Sequence, residues 1–243
     1  RKRASIKVAE PLAARRRVLR RRYQVEVLAD NLKLVAAADI VVLAIKPQAM
    51  DAVLAQLGHQ SGRRLFVSIA AGVSLERIEG VLGAKVRVVR VMPNTPCLVG
   101  RGMSVLCAGR WASSRDLARA RRLFAAVGHA VVVDDEKLMD AVTALSGSGP
   151  AYVSLFAEAL IKAGAACGLD RGLARTLAYE TIAGGAEMLT ATGKDPAELR
   201  RAVSSPGGTT VAGLAALEEA GFAAAVQSAV KAAARRSRQL GRG

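Results

Sequence analysis

Seven consecutive residues, Ser204-Ser205-Pro206-Gly207-Gly208-Thr209-Thr210, put four hydroxyls, two glycines and a proline in front of an expected helix. Paired glycines let the backbone turn several N–H groups to one side. Ser and Thr ahead of a helix act as caps. Together with the positive end of the helix dipole, beginning near Val211, this pattern suits a small anion such as a carboxylate. A well-capped helix would be the plainer reading. Capping alone rarely calls for so many hydroxyls and glycines, which favours the anion site.

Three other segments carry candidate chemistry. Lys46-Pro47 follows the apolar run 40–45, IVVLAI, and sets a cation and a fixed turn where a parallel strand would end. Ala70-Ala71-Gly72 and Met92-Pro93-Asn94-Thr95-Pro96 read as two further strand exits. Small residues there let a flat ring approach the backbone, and Asn94 and Thr95 offer amide and hydroxyl groups. Ser146-Gly147-Ser148-Gly149-Pro150 has the glycine content of a phosphate loop. It follows a helix rather than a strand and lacks the Gly-Lys-Ser/Thr ending, so it reads as a hinge into a long helix.

Strand and helix signals must position these segments. Residues 6–8, 25–27, 40–45, 65–69 and 86–91 read as short strands, separated by helices near 12–23, 31–38, 49–57 and 75–82. That repetition predicts a parallel, doubly wound sheet. Residues 104–108 and 130–133 extend it, with a helix near 114–127 between them. After about Asp135 strand signals vanish. Helices are expected over 137–145, 149–168, 171–192, 196–203, 210–220 and 222–240, with Gly168, Gly193 and Gly221 as stops and Asp195-Pro196 as a start. The expected organisation is an α/β dinucleotide-binding domain over 1–135 and an all-α domain over 136–243.

Composition narrows the class. Hydrophobic residues make up 51% of 243, enough for a core, while aromatics are only 3%, so Ala, Val, Leu and Ile must build it. Cys97, Cys107 and Cys167 lack metal-ligand spacing, and only His59 and His129 could join them, so no metal is expected and a reduced, cytoplasmic chain is. No apolar run approaches a membrane span of roughly 18 residues. The net charge of +16 comes from clusters such as Arg1-Lys2-Arg3, Arg15-Arg16-Arg17 and Arg20-Arg21-Arg22. Without a nucleic-acid motif beside it, this charge reads as a solvated surface, so neither nucleic acid nor membrane is an expected partner. The first 22 residues also have the arginine-rich, acid-poor character of a transit peptide, against which stands the strand pattern at Ile6-Lys7-Val8.

Taken in order, IVVLAIKP, VSIAAGVSLERIEGVLG, VRVMPNTP, ALSGSGPAY and ELRRAVSSPGGTTVAGLAALE resemble the pyrroline-5-carboxylate reductase family from about Ile6 to Leu240. The resemblance implies a Rossmann domain followed by a helical domain that joins a second subunit as a homodimer or larger homo-oligomer. It implies NADPH or NADH as cofactor and 1-pyrroline-5-carboxylate as substrate, reduced to L-proline in the last step of proline biosynthesis. Asn31, Ala44, Lys46, Pro47, Ala71, Asn94 and Thr95 would lie along the cofactor. Ser205, Gly207, Gly208, Thr209 and Thr210 would hold the substrate carboxylate, with the Thr210 hydroxyl near the ring nitrogen as the catalytic group.

One departure stands out. Members of the family open with a strand and a G-x-G-x-x-G-like loop, and that first β-α unit is missing here, with Glu10 in the ribose-binding region. Arg1 rather than Met stands first, which reads as a fragment, a processed chain or a misassigned frame. Exposed edges on the neighbouring strands, poor dinucleotide binding and little activity are the expectations. The alternative is a catalytically inactive subunit that only dimerises. Hydroxyacid dehydrogenases are a further class, but Lys162 is the only counterpart to their catalytic lysine and its neighbours do not match. Ala202 stands where some members carry a polar residue.

Overall fold

The computed structural model describes residues 5–58 and 64–242; the basic cluster Arg1-Lys2-Arg3 and His59 lie outside them. Its elements are β1 (Lys7–Ala9), α1 (Ala13–Tyr23), β2 (Glu26–Leu28), α2 (Asn31–Ala36), β3 (Ile40–Leu43), α3 (Met50–Leu57), β4 (Leu65–Ser68), α4 (Leu75–Leu82), β5 (Arg87–Pro93), β6 (Gly102–Ala108), α5 (Ser114–Ala125) and β7 (Gly128–Val132). The chain continues through α6 (Met139–Val142), α7 (Gly149–Ala166), α8 (Arg171–Thr192), α9 (Pro196–Ala202), α10 (Thr209–Glu219) and α11 (Phe222–Arg242).

The strands form two sheets, β1-β2 and β3-β4-β5-β6-β7. Among the described residues β1 pairs only with β2, and β3 only with β4. Val42 on β3 is 46% exposed although its neighbours Val41 and Leu43 are buried. The parallel sheet expected from sequence holds except at one step, because β6 runs antiparallel to β5. The reason is length: only residues 94–101 join them, with a 3₁₀ turn (Thr95–Val99), whereas a parallel return needs a crossover of a dozen or so residues.

Alternating strand residues feed two apolar layers. On one face Val41, Leu43, Phe66 and Val88 pack with Met50, Leu54 and Leu57 of α3 and Ile78 and Leu82 of α4. On the other, Leu65, Val67, Val89, Val91 and Leu106 pack against Ala120 of α5. Phe66 is fully buried, so truncating it to Ala would cost about 3–5 kcal/mol.

Helix starts are chemically specified. Ser74 caps α4, Ser113 and Asp116 form a capping box on α5, and Asp170 and Asp195 cap α8 and α9 with their carboxylates. Gly168, Gly193 and Gly221, the expected stops, all have positive φ. The single helix expected over 137–145 is instead a 3₁₀ turn (Glu136–Leu138), α6 and a π turn (Thr143–Gly147), whose wider spacing carries the chain into Ser146-Gly147.

Two compact units result. The first takes in the chain to Gly147 together with Ala234 onward; the second is Ser148–Ala233. Within the second, α7 and α8 form an antiparallel pair, and Phe156 and Phe222 meet with ring centroids 6.2 Å apart. Among its residues only Ala157, Ala174 and Ala178 are fully buried hydrophobics, while Val153, Leu155, Leu173, Leu177 and Met188 are exposed. No single helix among the described residues is long and apolar enough to cross a membrane; the bent pair α10–α11 passes that test only when taken together.

Candidate active site

In the first unit, β3, β4 and β5 lie side by side, parallel and in register, with Leu43 opposite Ser68 and Ser68 opposite Arg90. Their carboxyl ends therefore open on one edge. Ala44 and Lys46 leave β3, Ala71 leaves β4, and Asn94 and Thr95 leave β5. Pro47 begins a 3₁₀ turn (Pro47–Ala49) with Lys46 as its exposed N-cap. Asn31 opens α2 just beyond β2, the carboxyl end of the smaller sheet. All seven residues expected along the cofactor thus follow strand ends, the position at which such sheets bind ligands.

Side-chain bonding assigns some of them other work. The Asn94 amide donates to Ser146 O at 3.2 Å and Ser146 Oγ at 3.3 Å, while its Oδ1 accepts from the Met103 N–H at 2.8 Å. Asn94 therefore fixes the shape of its loop. Asn31 Nδ2 donates to Gln56 Oε1 at 2.7 Å, joining α2 to α3. At the end of β1, Glu10 accepts from the Leu12 N–H at 2.9 Å and pairs with Arg15 at 3.7 Å, while Arg16 donates to the Glu10 and Pro11 carbonyls.

Sequence reasoning missed an ion pair between a buried arginine and a half-buried glutamate behind this edge. Arg90 is 6% exposed, and its Nη1 lies 2.7 Å from Glu136 Oε1, which also accepts the Leu75 N–H at 2.8 Å. The signal was legible: an arginine inside the apolar run RVVRVM must find an acid when buried. A cleft of about 760 Å3 borders α4 and the end of β6. Glu76, Glu79, Asp134 and Glu136 line it, so its charge is wrong for an anionic dinucleotide. Burial pushes the Glu79 carboxyl above its ordinary value; the Arg110 N–H opposes the shift and Glu136 adds to it.

In the second unit, the Gly208 N–H donates to Ser205 O at 2.9 Å, with Pro206 and Gly207 between them and Gly207 at φ +71°. This is a type II turn, with proline and glycine where that turn wants them. A β-carbon on Gly208 would fall 2.5 Å from Ser205 Oγ. The helix starts at Thr209 rather than near Val211, and its N-cap is Gly208, which brings no side chain. Thr209 and Thr210 therefore do not cap a following helix, as the sequence suggested, but form its first turn. The leading N–H groups of α10 keep their donors for an outside acceptor.

An ordered parallel edge built from small and polar exits, together with a glycine turn that leads into a helix, defines a Rossmann-type nicotinamide-nucleotide oxidoreductase with a helical second part. Residues 1–72 match the family described as NADP oxidoreductase, coenzyme F420-dependent, and residues 136–240 match that described as pyrroline-5-carboxylate reductase dimerisation. The chain is 47% identical to the pyrroline-5-carboxylate reductase of a Synechocystis strain, over 97% of this chain and 87% of that protein. Identity to the enzyme of the same name from Corynebacterium melassecola is 43%, over 98% and 89%. Among solved structures, the Coxiella burnetii pyrroline-5-carboxylate reductase matches with a TM-score of 0.90 at 34% identity, covering 97% of this chain and 88% of that one. The Plasmodium falciparum pyrroline carboxylate reductase with NADP bound matches at 0.84 and 37% identity, covering 90% and 84%. The chain belongs to the pyrroline-5-carboxylate reductase family.

Proposed function

We propose that this chain reduces 1-pyrroline-5-carboxylate to L-proline, the last step of proline biosynthesis, with NADPH or NADH as hydride donor. The observation that carries the reading is the edge formed by the carboxyl ends of β3, β4 and β5, where the small side chains of Ala44 and Ala71 leave room for a flat ring. These residues fit a nicotinamide dinucleotide: the exits are small, and the exposed Lys46 supplies a cation for its phosphates. When bound, that cofactor supplies the hydride.

The chain's own groups do the rest. Backbone N–H groups at the start of α10, with Ser205 and Thr209, grip the substrate carboxylate, helped by the helix dipole. Gly207 and Gly208 shape that turn. Hydride addition to the imine carbon turns C=N into C–N, and one proton on the ring nitrogen completes the amine. The Thr210 hydroxyl orients or relays that proton; a bound water or an already protonated imine are its other sources. Positioning thus outweighs acid–base power, and no thiolate or triad takes part.

The exposed apolar residues of α7 and α8 support a homo-oligomer joined through the helical part. Cys97, Cys107 and Cys167, all free thiols, suit a reducing compartment such as the cytoplasm.

Proline formation, measured at saturating NADPH and again at saturating NADH, tests the reading. Gly208→Val and Thr210→Val are expected to cut kcat/KM by on the order of a hundredfold or more, and Thr210→Ser to restore most of the loss. Unchanged kinetics in the two valine variants would overturn the site. An unaltered chain that associates yet turns over with neither cofactor would leave only a dimerising role.

A further inference from the structure

We infer that the last two turns of α11 hold the loop between β4 and α4 in its cofactor-binding shape, making Ser237 and Gly241 positioning residues for the nicotinamide cofactor. This rests on the reading of Ala71 as a cofactor contact.

The contact is a backbone-to-backbone approach between two glycines. A β-carbon on Gly241 would lie 2.5 Å from Gly72 O. One on Gly72 would lie 3.1 Å from Leu240 Cβ and 3.3 Å from Ser237 O. Gly72 also sits at φ +77°, where side chains are strained. Neither glycine is replaceable without moving the other's chain.

α11 presents Ala234, Ser237 and Gly241 at spacings of three and four, on one helical face. Ala234 is 7% and Ser237 4% exposed. Ser237 Oγ donates to Asp140 Oδ1 at 2.6 Å, which fixes the register of the helix on α6. Four residues earlier, Glu136 holds the first N–H of α4 at Leu75 and is itself held by Arg90. The segment 136–140 therefore braces both sides of the loop. Glu136 secures its exit, and Asp140 secures the helix that presses on its middle. Ala70 and Val73, on either side of Ala71-Gly72, are buried at 3% and 0% exposure, so the loop has little room to readjust once one brace is removed.

Gly241→Val and Ser237→Ala in the full chain test this. Three readouts apply: hydrogen exchange of the 70–75 amides without cofactor, NADPH affinity by fluorescence titration, and L-proline affinity by calorimetry. Gly241→Val is expected to speed exchange and weaken NADPH by on the order of tenfold each, with L-proline binding unchanged. Ser237→Ala should move the same two readouts less, which keeps the test alive if the valine variant misfolds. Unchanged exchange in both variants would overturn the inference, and so would faster exchange with NADPH affinity intact. If the unaltered chain binds no NADPH, the reductase reading falls, while the exchange arm still decides whether α11 restrains the loop.

Discussion

Asn94, at the exit of β5, is tied through its amide to both the carbonyl and the hydroxyl of Ser146, fifty-two positions further along the chain. Its carboxamide oxygen simultaneously takes the Met103 N–H at the start of β6. One side chain thus fixes the return of β6 and the π turn that ends at Gly147.

Replacing Asn94 with Ala leaves these polar groups without their partner in a partly buried place. The expected loss is about 1–3 kcal/mol of unfolding free energy, read by urea denaturation. Asn94→Asp should be at least as damaging, because a carboxylate cannot donate to the Ser146 carbonyl. A variant as stable as the parent would show that the triple contact carries no weight.

Gly128 and Gly102 open the β6–β7 ladder as directly paired residues. A β-carbon on Gly128, whose φ is +146°, would fall 2.0 Å from Gly102 O. Gly128→Ala is therefore expected to cost roughly 2 kcal/mol or more, through strain and forced separation of the strands. Gly58→Ala offers a contrast: it has positive φ and, among the described residues, no neighbour within 4 Å, which leaves conformational strain as the expected cost. Thermal midpoints of the two variants should rank accordingly.

The Asp116 carboxyl sits below its ordinary range. Burial pushes it up, but the Ser113 hydroxyl and N–H, with the Arg87 and Arg119 charges, more than offset that. A carboxyl depressed by folding lends stability above its unfolded value of about 3.9, and the contribution drains away as pH falls through the folded value. Asp116→Asn should therefore be less stable than the parent at pH 7, with the gap closing in acid. A gap independent of pH would mean that neither the Ser113 hydrogen bonds nor the ion pair with Arg87, 2.9 Å away, favours the ionised carboxyl.

Glu79 has the opposite sign. Burial raises it, so folding favours its protonated form; that contribution is full below the unfolded value and is lost as pH rises through the folded value. Glu79→Gln keeps an acceptor for the Arg110 N–H, 2.9 Å away. The variant is expected to melt higher than the parent at neutral pH and alongside it below about pH 4. Calorimetric scans across that range would decide; a lower neutral melting point would contradict the assignment.

Much of the edge was legible because apolar runs such as IVVLAI end sharply at small or polar residues, and parallel strands all end on the same side. Asp195 and the stop glycines were equally plain, since their chemistry is local, whereas the cap at Asp170 was not read. The reversal of β6 was not read, although the shortness of the stretch from Asn94 to Arg101 excluded a crossover. The start of α10 was misplaced by one or two residues because Thr209 and Thr210 suit a cap as well as a first turn. Nothing local in the alanine- and arginine-rich stretch 222–240 announced that Ser237 would meet Asp140, ninety-seven positions earlier. That contact depends on where the whole helix is carried.

The second unit hides almost nothing but three alanine methyls. A layer with so little apolar volume of its own does little to offset the entropy of ordering its helices, so in the proposed homo-oligomer its persistence becomes a matter of mass action. Dilution should then act on it as denaturant acts on the first unit. A substitution on the outward side of α7 or α8 would register first as a shift in the protein concentration needed for half-assembly, well before any helix is lost.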